Sequence, residues 1–285
     1  MKKILLSVLV LVFAWNIQAQ NALMWKISGN GLDRPSFLYG TIHLACPSVI
    51  SMKKAKIEVA ILQVDQVCLE LDMDDLAVIQ AVQKGSFNEG MHNFSDELTE
   101  EGKEAIDDFL QENFKAGLKQ MGVMKPWALA MFISMQDVAD CKNPKPFEEF
   151  IISLGKKYKK EVIGVETPEE QLSIFNNLDR EAEMQLLVRA IEEHEQDKRD
   201  FKAMTRYYMK EDLQSLNNMI IRRDDMKKMK KELLDNRNKR WIPRMVKIAK
   251  RKPTLFAVGA GHLMGDNGVI QLLKNKGYKV TPVKH

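Results

Sequence analysis

The chain has 285 residues, and its 43 Lys and Arg set against 39 Asp and Glu leave a formal charge of only +4. That balance argues against a nucleic-acid partner. A hydrophobic fraction of 45% suits a globular protein with one large domain or two small ones. The three cysteines, Cys46, Cys68 and Cys141, are an odd number, so an exported form keeps at least one free thiol.

The first 19 residues read as a secretory signal peptide. Lys2 and Lys3 form a basic start, Ile4 to Trp15 an apolar stretch, and Ile17-Gln18-Ala19 a cleavage site before Gln20. The apolar stretch falls short of the roughly 20 residues a membrane span takes. The expectation is an exported chain, periplasmic or secreted, with no stable membrane span. Loss of Lys2 and Lys3 lowers the formal charge from +4 to +2.

Beyond the signal, "LMWKIS" and "SFLYGTIHL" are strand-like runs parted by the turn "GNGLDRP", which predicts an antiparallel hairpin. Ala55, Val59 and Leu62 follow at helical spacing, and "QVCLELD" returns to strand character, with Cys68 as a small core residue. From about residue 74 to 250 the pattern is mostly helical. Its one strand-like interruption is "EVIGVE", Glu161 to Glu166.

Directly after it, Thr167 is placed as an N-cap, Pro168 as the first helical residue and Glu170 as the partner in a capping box. Glu166 therefore stands where a strand ends and a helix begins. The long charged segment from Asp179 to Lys250 reads as two or three amphipathic helices, with methionines filling core gaps and His194 solvated. The chain closes with strand "TLFAV", loop "GAGHLMGDNG", helix "VIQLLKNK" and strand "YKVTPV", a βαβ unit.

Two of the five histidines share a context: His43 in "FLYGTIHL" and His262 in "LFAVGAGHL" each end a buried strand after Gly-x-x. Alone, each is most simply a hydrogen-bonded structural residue. If both strands lie in one sheet, their carboxyl ends face one crevice and bring two imidazoles together. Two imidazoles and one carboxylate are a common hydrolytic metal set.

Glu70 offers the carboxylate, flanked by Leu69 and Leu71 in an apolar run where an unpaired charge is costly. Its other reading is the polar side of a half-exposed strand. Arg237 and Asn238 stand among many charges and by spacing alone read as surface, although an arginine in a cleft holds a carboxylate or an oxyanion well. Dinucleotide, zinc-protease-helix and serine-elbow patterns are all missing.

Taken in order, "FLYGTIHLACPSV", "VCLELD", "MKPWALAMF", "GVETPEEQL", "DNRNKRWI" and "FAVGAGHLMGDNGVIQLLKNKGYKVTPV" resemble the TraB/GumN (TraB/PrgY/GumN) family, whose animal relatives are the TIKI membrane metalloproteases. The resemblance implies an α/β (α+β) fold in one domain over residues 20–285. Its mixed β-sheet core would be of the erythromycin esterase/ChaN type, with a large helical insertion over roughly 74–250 broken by a strand near 161–166.

It also implies that His43, His262 and Glu70 bind a divalent metal, Mn²⁺, Co²⁺ or Zn²⁺, and cleave a peptide or small-molecule substrate. Glu166 and Arg237 would support them, and Glu148 would stand in for an Asp that many members carry before a helix. The rival expectations are a metal-independent, esterase-like acid–base hydrolase built on His43 and Glu70, and a non-catalytic protein that binds haem or a peptide in the same cleft.

Overall fold

The computed structural model describes residues 21–136, 138–222 and 229–283. The expected signal peptide lies outside them, as does His285. The chain divides into two compact units, Met1–Asp72 with Asn143–Val165 and Met204–His285, and Met73–Lys142 with Glu166–Ala203. The helical stretch read from the sequence is therefore shared between the two, and its helices beyond Met204 belong with the sheet.

In the first unit, β1 (Met24–Ser28), β2 (Ser36–Thr41), β4 (Gln66–Leu69), β6 (Glu161–Gly164), β7 (Thr254–Gly259) and β8 (Lys279–Pro282) form a six-stranded mixed sheet in the order β6-β4-β7-β2-β1-β8. β3 (Leu44–Ala45) and β5 (Lys145–Pro146) pair separately. The fold is α/β. The expected hairpin is the antiparallel β1–β2 pair, with Trp25 opposite Leu38. β2, β4, β6 and β7 run parallel to one another, and β8 returns antiparallel to β1.

Every residue of β2 and of β7 is buried. A strand covered on both faces shows no polar alternation, which is why "SFLYGT" and "TLFAVG" read as continuous apolar runs. Leu38, Tyr39, Leu255 and Phe256 lie at the heart of the core, each such side chain contributing about 1.5–3 kcal/mol of burial.

The second unit is helical, with Glu100–Phe114, Pro126–Met135 and Arg180–Glu192 packed around Phe94, Leu110, Leu129, Ile133 and Leu187. Thr167 caps the helix Pro168–Asn176 by accepting from Glu170 N–H, and the Glu170 carboxylate accepts from Thr167 N–H, the capping box read from the sequence. His194 is buried rather than solvated: its ring meets Phe109 and Phe114 edge-on. It continues the inward face of Leu187 and Ala190, which outweighs its charged neighbours.

Among the described residues no helix is long and apolar enough to cross a membrane. Cys46 and Cys141 are disulfide-bonded and Cys68 is a free, buried thiol. Burial pushes the Cys68 thiol well above its ordinary pKa, which keeps it protonated and inert.

Candidate active site

β7 lies between β4 and β2, and all three run the same way, so their carboxyl ends meet at one edge of the sheet. Thr41 is level with Gly259, and Glu70 is the first residue after β4. That edge is where open α/β sheets carry ligands. The sequence reading put Glu70 inside the strand; the strand stops at Leu69, which turns the carboxylate from a sheet face to the strand end.

The two motif glycines make the approach possible. A β-carbon on Gly40 would stand 3.2 Å from Ala260 Cα, so the end of β2 and the second motif pack backbone to backbone. A β-carbon on Gly259 would lie 3.4 Å from Glu70 Oε1, 3.6 Å from His262 Cδ2 and 3.7 Å from His43 Nε2. The three expected residues thus surround one point. The Gly259 N–H also donates to Glu70 Oε1 at 2.8 Å.

Arg237 closes the far side of Glu70. Its Nη2 donates to Glu70 Oε2 at 2.5 Å, and its Nη1 lies 3.2 Å from His262 Nε2 and donates to Leu233 O at 3.0 Å. Both side chains of the ion pair are largely buried, 7% and 14% exposed. Burial alone would push the Glu70 carboxyl up, but the Arg237 charge, followed by His262, His43 and the Gly259 N–H, holds it down at about 2. Glu70 is an anion at any working pH.

Sequence spacing assigned Arg237 to the surface and gave Asn238 no role. Both are buried, at 6% and 1% exposure, although they are consecutive in a helix. A π-helical stretch, Lys231–Asn236, runs straight into helix Arg237–Arg251; such insertions change the angular register of a helix and cluster at functional sites. One signal was available: Asn238, Trp241, Ile242 and Met245 share the i, i+3, i+4, i+7 spacing of a buried face.

Asn238 decides the chemistry of His262. Its Nδ2 donates to His262 O at 3.2 Å and to Asn267 O at 2.8 Å, so its Oδ1 is the atom 2.7 Å from His262 Nδ1. An amide oxygen only accepts, so Nδ1 carries the proton and Nε2 keeps its lone pair, directed at Arg237. Burial, followed by the positive charges of Arg237 and His43, lowers the His262 pKa to about 3 against the opposing pull of Glu70. Trp241 packs against the ring at 4.3 Å and also lies 4.7 Å from the Arg237 guanidinium.

His43 is held differently. Its Nδ1 lies 3.5 Å from Glu148 Oε1, which also accepts from Thr41 Oγ1 at 3.0 Å. Glu148 sits in the first turn of helix Phe147–Lys157, and Phe147 N–H donates to His43 O at 3.2 Å. The hydrogen bond to Glu148 raises the His43 pKa to about 9 despite desolvation. Behind the motif, Tyr208 OH donates to Gly40 O at 3.0 Å and accepts from Tyr39 OH at 2.9 Å, tying the end of β2 to the core.

Residues 23–282 match the TraB/PrgY/gumN family. The chain belongs to the TraB/PrgY/gumN family. Similar proteins include Metalloprotease TIKI1 of Danio rerio, 25% identical over 91% of this chain and 63% of its own length. The human Metalloprotease TIKI1 is 24% identical over 91% of this chain and 61% of its own. Metalloprotease TIKI2 of Xenopus tropicalis is 24% identical over 91% and 59%. The chain thus spans about three fifths of the length of these curated relatives. No solved structure matches it.

For a TraB/PrgY/gumN protein whose relatives are called metalloproteases, the fit of this site to a metal ion turns on donors and spacing. In kind the donors fit: one carboxylate, and two imidazoles whose Nδ1 atoms are each held by an oxygen, as in metal-ligating histidines. In spacing they do not. Among the described residues no three His, Cys, Asp or Glu side chains are placed to hold an ion, and Glu70 Oε2 and His262 Nε2 both face the Arg237 guanidinium. Glu166 belongs to the second unit, where it is buried and its Oε1 accepts from Gln171 Nε2 at 3.0 Å.

Proposed function

We propose that this chain is an exported hydrolase of peptide bonds, dependent on a divalent cation, with His43, Glu70 and His262 as its central groups and Arg237 as their electrostatic partner. One observation carries the reading: His43 Nε2, Glu70 Oε1 and the His262 ring gather around Gly259 from three separate strand ends. The metalloprotease relatives support peptide bonds as the substrate class. The mixed sheet with its groups at the strand ends supports a core of the erythromycin esterase/ChaN type. Export is supported by the basic-apolar start of the sequence and by disulfide-bonded Cys46 and Cys141, which suit an oxidising compartment.

The side chains have distinct capacities. Without a cation His43 is protonated at neutral pH and 66% exposed, and can give a proton to a leaving amine; as a metal ligand it would first lose that proton. Glu70 is ionised and fixed by Gly259 N–H, so it can orient an attacking water. His262 is neutral, with its tautomer set by Asn238.

The test is a peptide-library digest of the purified protein with and without chelator, followed by re-addition of Mn²⁺, Co²⁺ or Zn²⁺. Cleavage that disappears with the chelator, returns with one cation and is absent from His43→Ala/His262→Ala supports the proposal. A double variant that cleaves like the wild type would sink it.

A second reading has its own observation. The pairing of Arg237 with Glu70 and His262 satisfies the charges without a cation. That favours metal-independent acid–base hydrolysis, with His43 as the acid and Arg237 holding charge in place. Cleavage that survives exhaustive chelation selects this reading.

A further inference from the structure

One side chain occupies two of the donors of this site. A cation entering this site needs the Glu70 carboxylate and the His262 Nε2 lone pair. Arg237 Nη2 is 2.5 Å from Glu70 Oε2, and Nη1 is 3.2 Å from His262 Nε2, so the two arms of one planar fork face both. The guanidinium is permanently charged and cannot leave by deprotonation. It already does for Glu70 what a bound ion would do: it neutralises an anion that is 14% exposed.

Resting on the metal-dependent reading above, we propose that Arg237 and a divalent cation are alternative occupants of the Glu70–His262 pair, so that an ion enters only as the guanidinium leaves. Two of the guanidinium's contacts do not involve that pair. Leu233 O accepts from Nη1 at 3.0 Å, and the Trp241 ring lies 4.7 Å from the guanidinium carbon. Both are on Arg237's own helical run, so the side chain keeps partners when it gives up Glu70. His262 needs no rearrangement, because Asn238 holds Nδ1–H and leaves Nε2 as a lone pair with or without Arg237.

Two consequences follow from competition. The wild type binds its ion more weakly than its donors would alone, because each binding event breaks an ion pair. Removal of the guanidinium with its bulk preserved frees the donors. The probes are Zn²⁺ and Co²⁺ alone, titrated calorimetrically into the chelator-stripped full chain, with Co²⁺ also followed by its visible absorption.

Arg237→Met is expected to bind at least about tenfold more tightly than the wild type, the shift given by roughly 1.4 kcal/mol, and Glu70→Gln/Arg237→Met is expected to lose that gain. Should Arg237→Met fail to fold, the wild type decides the matter. Its Arg237 side-chain N–H resonances, sheltered while paired, should shift and exchange faster as Zn²⁺ saturates the site.

An Arg237→Met variant that binds no more tightly overturns the competition while leaving metal dependence standing. So do Arg237 resonances that do not move at saturation, and so does a gain that persists without Glu70. Binding of neither ion to either protein overturns both the competition and the metal-dependent reading.

Discussion

His43 and His262 have nearly the same lead-in, an apolar strand, Gly and two residues, yet their side chains are 66% and 5% exposed. One is held by a carboxylate, the other by a carboxamide. The first is cationic up to about pH 9, the second neutral down to about 3. Similar local sequence therefore sets where the two rings stand, past the ends of adjacent parallel strands. What each ring is chemically comes from a remote residue, Glu148 for one and Asn238 for the other.

The comparison can be broken most forcefully at Arg237, which is bonded on the His262 side only. Arg237→Ala takes the guanidinium from Glu70, a largely buried anion, and should cost about 3–5 kcal/mol in urea unfolding. Glu70→Leu/Arg237→Met removes both charges and should lose far less. Equal losses would mean that packing on Trp241, not charge, is what Arg237 contributes.

Next comes truncation of the rings themselves. His262→Ala empties a buried site against Trp241 and should cost about 2–5 kcal/mol, as large-to-small core changes do. His43→Ala should cost less than His262→Ala, because the ring is exposed and leaves no cavity, and what it loses is a solvent-screened pairing with Glu148. Under the proposed function His43→Ala nonetheless loses at least about 10²-fold in peptide cleavage. A stable His43→Ala protein with full activity would remove His43 from the chemistry.

Asn238→Ala should cost about 1–3 kcal/mol, since two backbone carbonyls and a ring N–H lose a buried partner. The nitrogen shifts of His262 should then report a mixture of tautomers in place of one. The smallest effect is at the exposed ring. In chelator-treated protein His43 should titrate near pH 9 by NMR, and in Glu148→Gln it should move down toward 6.5.

The sign of its contribution to stability follows. A raised folded pKa makes the pairing fully stabilising below the unfolded value, about 6.5, and the contribution vanishes as pH rises through about 9. A His43 that titrates near 6.5 in both proteins would show that Glu148 does not hold it.

Much of this was legible because burial writes itself into composition. β2 and β7 are enclosed on both faces and read as apolar runs, and the Thr167–Glu170 box is local chemistry that needs no tertiary context. The placement of β7 between β2 and β4 had no local signal, because strand order is decided by pairing among segments about two hundred residues apart. Glu70 was found through the oddity of a charge in an apolar run, although its place past the strand end was not. Arg237 and Asn238 were obscured by the many charges around them. Their burial depends on the angular register of a helix, which a charge pattern does not record.

The π-helical stretch before Arg237 gives that register a practical meaning. An α-helix turns by about 100° per residue. A deletion of one residue within Lys231–Asn236 that restored ordinary α-helical winding would swing the pair that binds Glu70 and His262 toward a different quarter of the helix. Every side chain of the site would still be encoded. For anyone shortening or grafting this helix, the length of that segment is as much a part of the site as the arginine itself.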